Sequence, residues 1–152
     1  MAQQTLHHDE LSVTEKANGG NYLEHLFVGI SPYAHWTLRI ALASVFLFHG
    51  LGKFAGLTQF AEMMQLPLAI ALLVALAETV GGALVIAGGF SKDWMTRIGA
   101  AMFVPVMLGA ITMVHWGRWS FVPAEGYPMG GMEFQVVLLL VSLYFIIKGN
   151  HA

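Results

Sequence analysis

Polar residues are spread very unevenly along this chain. Four long apolar runs, Trp36–Phe54, Leu68–Phe90, Arg97–Trp116 and Met132–Lys148, are separated by short joints rich in polar residues, glycine or proline. Each run is near the roughly 20 residues an α-helix needs to cross a hydrocarbon core. A bilayer offers no water to the peptide groups, so such runs satisfy their own hydrogen bonds as helices. The pattern predicts an all-α membrane protein with four transmembrane helices in an up-down bundle. The first outer joint, Gly56–Pro67, predicts a short interfacial helix ended by Pro67. The second, Gly117–Gly131, contains Pro123 and Pro128 with several glycines and predicts irregular chain.

Three regions follow from the same pattern. Residues 1–20 are polar and predict a disordered cytoplasmic tail. Residues 21–35 form an amphipathic stretch with Tyr22, Leu26, Phe27 and Ile30 on one side, an interfacial helix that Pro32 separates from the first span. Residues 36–149 are the membrane domain. Pro105 should kink the third span and free a carbonyl near Ala101, although a proline tolerated without consequence is an equal reading.

Composition agrees and narrows the chemistry. Hydrophobic residues make up 57% of the 152, and charged residues only 11%, against about 25% in soluble domains. The net charge of −2 gives no basic footprint for nucleic acid. The chain has no cysteine, which excludes thiol–disulfide chemistry, iron–sulfur clusters and Cys-ligated zinc within it. No flavin fingerprint and no metal-ligand pattern is read. The cationic residues are Lys16, Arg39, Lys92, Arg97 and Lys148 on one side of the alternating arrangement and Lys53 and Arg118 on the other. That bias puts both termini in the cytoplasm.

Glu78 is the one charge within Leu68–Phe90. An acid at mid-span costs roughly 3 kcal/mol, and such residues usually face a partner inside the bundle. Depth identifies the partners. If Arg39, Lys92, Arg97 and Lys148 mark the inner interface, the helical rise puts Lys53, Glu78 and Glu133 all about 21–22 Å above it. His49 lies one turn below Lys53 and His115 somewhat higher. The spacing predicts a polar cluster in the outer half of the membrane. Glu78 and Glu133 are the candidate proton-transfer residues, and His49, Lys53, His115 and Trp116 the candidate ligand contacts. The alternatives are a Lys–Glu pair that only fixes helix register and an aromatic belt that accounts for Trp116, Trp119, Phe121 and Tyr127. Axial haem ligation by His49 and His115 is disfavoured, because their depths differ by about 12 Å.

These residues sit in recognisable segments. FLFHGLGKF (Phe46–Phe54), the TQFAEMMQLP connection, AETVGGALVIAGGF around Glu78 and GGMEF (Gly130–Phe134) together resemble the DoxX/DoxD-like family of small four-helix membrane proteins. The resemblance runs from about Arg39 to Gly149. It implies a bacterial or archaeal cytoplasmic-membrane protein tied to a redox system. Some relatives are subunits of thiosulfate:quinone oxidoreductases, and others accompany superoxide- or thiol-stress proteins. The expectation is a quinone-binding subunit that takes its electrons from a partner chain and holds no haem, flavin or iron–sulfur centre of its own. Its partners would be membrane lipid and other subunits, or copies of itself. The alternative is a non-enzymatic membrane scaffold or assembly subunit.

Overall fold

The computed structural model describes Tyr22 and residues 24–151, so the expected tail over residues 1–20 lies outside the described residues. The chain divides into two compact units, Met1–His35 and Trp36–Ala152. In the first, residues 24–30 are helical and Ser31–Tyr33 form a 3-10 turn with Pro32 in its first turn. Leu26, Phe27 and Ile30 are exposed, as is every other described residue up to Ala34.

The second unit is built of helices. They are α1 (His35–Ala55), α2 (Leu57–Met63), α3 (Leu68–Phe90), α4 (Asp93–Ala110) and α5 (Glu133–Lys148). A π-helical turn, Ile111–His115, extends α4. Among the described residues there is no strand, only an isolated bridge between Ala124 and Tyr127. Three helical stretches are long and apolar enough to cross a membrane: Glu24–Ala55, Leu68–Phe90 and Asp93–His115. The α5 helix has 16 residues, short of that length. The helix boundaries follow the apolar runs closely, and α2 forms where the first outer joint predicts it.

Small residues set the helix spacing. A Cβ on Gly81 would lie 2.9 Å from the Gly99 carbonyl, and one on Gly99 would lie 2.7 Å from the Gly81 carbonyl. The α3 and α4 backbones therefore cross in direct contact, which only small residues permit. The shared core is Leu42, Ala43 and Phe46 of α1, Val85 of α3, Ala100, Phe103 and Met107 of α4, and Leu138 and Phe145 of α5. Phe46 and Phe103 stack face to face, with centroids 3.6 Å apart.

One charge departs from the sequence expectation. Arg39 was assigned to the inner basic ring, but its side chain is wholly buried. It donates to the Val85 carbonyl and Thr96 Oγ1 at 2.8 Å, to Asn150 Oδ1 at 2.8 Å and to the Gly149 carbonyl at 3.3 Å. Its guanidinium also lies 4.9 Å from the Phe145 ring centroid. Asn150 in turn bonds Thr96, the Gly88 carbonyl and Asp93. The reason is local supply. Val85 in α3, Thr96 in α4 and Gly149 and Asn150 after α5 all present acceptors at this level, and a planar guanidinium can satisfy several at once. Arg39 still lies at the opposite end of α1 from Lys53, as the helical rise requires.

Candidate functional site

A second polar cluster stands at the opposite end of α1 from Arg39. Lys53 stands in the last turn of α1 and Glu78 in the middle of α3. Lys53 Nζ lies 2.6 Å from Glu78 Oε2. The acid is 3% exposed, and the lysine side chain keeps 17% of its surface. Two features bring them together. A Cβ on Gly50, one turn before Lys53, would lie 2.8 Å from the Thr79 amide nitrogen and 3.0 Å from Glu78 Cβ. The absence of that atom lets α1 lie against α3. Phe60 of α2 then places its ring centroid 5.1 Å from Lys53 Nζ, a favourable cation–π distance.

The pair faces a cavity of about 1300 Å³. All five helices contribute to its wall, which is mostly apolar, with His49, Lys53, Glu78, His115 and Gln135 as its main polar residues. Six of the chain's nine methionines line it: Met63, Met64, Met102, Met107, Met113 and Met129. Their unbranched thioethers give a wall that adapts to irregular apolar shapes. Phe48, Leu51, Leu73 and Met113 line the cavity and are also exposed on the protein surface.

His115 ends the π-helical turn that follows α4. Such a turn adds a residue relative to an α-helix, so it re-aims the side chains beyond it and is often found at functional sites. His115 is buried, with Nδ1 3.0 Å from the Gly130 carbonyl oxygen and Nε2 2.9 Å from Gln135 Nε2. His49 is exposed and lines the cavity one turn from Lys53. Pro105 lies inside α4 without ending it and also lines the cavity.

The structure thus brings four of the six sequence candidates to one cavity: His49, Lys53, Glu78 and His115. It puts the other two elsewhere. The Glu133 carboxylate accepts the Phe121 amide hydrogen at 3.3 Å and so closes the outer loop at the start of α5. That loop is also pinned by backbone bonds from Gly131 to Ser120, Met132 to Arg118 and Glu133 to Trp119. Trp116 is 67% exposed. Gln135 was not anticipated. It lies two residues after Glu133, and its only sequence signal is a polar side chain in an otherwise apolar run.

Fold and site together define a polytopic helical membrane protein with a buried ion pair in the wall of a large apolar cavity. The comparisons agree. The sequence pattern of the DoxX family matches residues 34–116, more than half of the chain. The protein belongs to the DoxX family. The match includes His49, Lys53, Glu78, His115 and Trp116 and ends before α5. Neither the comparison with curated proteins nor that with solved structures finds a match.

Proposed function

We propose that this protein is the membrane subunit of a redox complex and that its outer cavity holds a quinone. The observation that carries this reading is the Lys53–Glu78 pair exposed to a cavity that is otherwise apolar. A quinone needs hydrogen-bond donors at its carbonyls, a proton source on reduction and an apolar channel for its tail. Lys53 has ammonium hydrogens beyond the one given to Glu78, and His49 supplies another polar contact. Glu78 is the group placed to exchange protons with the head. The volume exceeds the roughly 300–1,000 Å³ usual for small-molecule pockets, as a head with a long tail requires. Exposed Phe48, Leu51 and Leu73 give the tail an apolar approach from the bilayer.

The reading extends to the membrane arrangement. Reduction of a quinone takes two electrons and two protons, and we assign the electrons to a partner subunit. Glu133–Lys148 serves as a fourth span: 16 residues cover about 24 Å, and a thinned bilayer or flanking residues cover the rest. Removing buried Arg39 and paired Lys53 from the charge count leaves Lys16, Lys92, Arg97 and Lys148 against Arg118. Both termini are then cytoplasmic and the cavity lies toward the outer face of the cytoplasmic membrane.

The test is retention of quinone through extraction in mild detergent. Wild-type protein should carry extractable quinone in near-stoichiometric amount. Lys53→Met should lose it by removing the head's donor. Gly109→Phe should lose it by filling the cavity, since a Cβ at Gly109 meets open space. Wild-type protein that neither carries nor rebinds quinone would refute the proposal.

A further inference from the structure

The cavity wall holds one carboxylate oxygen that no neighbour uses. Glu78 uses Oε2 for Lys53, and its other oxygen has no hydrogen-bond partner among the described residues. Two other polar side chains of the wall, His115 and Gln135, bond each other. The Gly130 carbonyl can only accept, so His115 Nδ1 carries the hydrogen between them. In the neutral ring Nε2 then holds a lone pair, and the Gln135 amide must donate to it. This fixes the amide: turning it over would set Oε1 against that lone pair. Gln135 Oε1 is consequently left buried in the wall with no partner. Both nitrogens of His115 are used, so its ring offers a ligand nothing. The donors left to a head group are the remaining hydrogens of Lys53, the exposed ring of His49 and the Gln59 amide.

A hydroxyl group uses the Lys53–Glu78 pair more fully than a bare carbonyl does. A hydroxyl accepts from Lys53 and donates to the free oxygen of Glu78 beside it. A carbonyl can accept from Lys53, but it has no hydrogen for Glu78, and its lone pairs then face the carboxylate. We infer that the site prefers the reduced, dihydroxy form of its carrier over the oxidised, dicarbonyl form. The inference rests on the proposed quinone reading and specifies which redox form the ion pair selects. In the complex, this subunit holds the quinol more tightly than the quinone.

Equilibrium binding to the full chain in lipid nanodiscs tests it, with decyl-benzoquinone and its quinol compared under anaerobic conditions. The wild type should bind the quinol roughly tenfold or more tightly, the effect of one hydrogen bond to a charged acceptor. Glu78→Gln keeps the shape and puts an amide donor where an acceptor stood, so the preference should vanish or invert. Equal affinities in the wild type, tighter quinone binding, or an undiminished preference in Glu78→Gln would overturn the inference and leave the quinone reading standing. Binding of neither form by the wild type would overturn both.

Discussion

Lys53 and Glu78 meet at 2.6 Å across two helices, from positions 25 residues apart in sequence. The acid is nearly sealed, while the lysine keeps some surface toward the cavity. Removing one member of such a pair strands a charge and costs roughly 3–5 kcal/mol when both are fully buried. Partial exposure of Lys53 lowers the figure here. Lys53→Met and Glu78→Leu should each destabilise the protein by about 2–4 kcal/mol, because a lone charge remains in an apolar wall. The double variant should recover most of the loss. Thermal unfolding in detergent gives the comparison, and simple addition of the two single effects would show that the pair is not coupled.

Gly50 and Gly52 separate packing from helix propensity. A methyl group on Gly50 would strike the Thr79 backbone and Glu78 Cβ, whereas one on Gly52 meets nothing within 4 Å. Gly50→Ala should therefore cost about 1–3 kcal/mol as α1 is pushed from α3. It should also weaken quinone retention by lengthening the Lys53–Glu78 contact. Gly52→Ala should be neutral or stabilise by up to about 1 kcal/mol through helix propensity. The melting temperatures of the two variants side by side decide this, and equal behaviour would mean that α1 and α3 are not in close contact.

Much of this was legible in the sequence, for reasons that can be named. Hydrophobic run length set the helices, because a bilayer allows so few alternatives. The constant rise per residue put Lys53 and Glu78 at one depth, and the structure pairs them. The same arithmetic gave Glu133 a similar depth, but depth says nothing about direction around a helix axis. At the start of α5 the Glu133 side chain turns to the Phe121 amide, and Gln135 reaches the cavity wall instead. Nor could depth foresee the π-helical turn that carries His115, or the methionine lining, since methionine in an apolar run looks like packing. Arg39 stands at the expected end of α1 but is buried there, because acceptors that no sequence pattern announces surround it.

Those acceptors support a prediction about the C-terminal segment. Asn150 accepts from Arg39 at 2.8 Å and from Thr96 at 2.7 Å, and its amide donates to the Gly88 carbonyl at 2.8 Å. It ties the chain after α5 to α1, α3 and α4. Asn150→Ala should leave part of the buried guanidinium unsatisfied and cost about 1–3 kcal/mol. Arg39→Lys should cost at least as much, because an ammonium cannot span the same set of acceptors. Both should leave quinone retention intact in the protein that stays folded, since the cavity is lined by other residues. Loss of ligand without loss of stability would show instead that the two polar clusters are linked.

Orientation is open to direct measurement because the chain has no cysteine of its own. Single cysteines can be placed at Glu125, in the loop after the π-helical turn, and at Lys92, between α3 and α4; both positions are exposed. The charge count puts Lys92 with the cytoplasmic group and the Glu125 loop on the opposite face. A membrane-impermeant maleimide applied to intact cells should label Glu125→Cys, and it should label Lys92→Cys only after permeabilisation. A third cysteine at His151, just beyond α5, tests the fourth span. If α5 crosses, His151→Cys should behave like Lys92→Cys. If α5 turns back within the outer leaflet, His151→Cys should label from outside, and the cavity would then be bounded by three spans and a re-entrant helix.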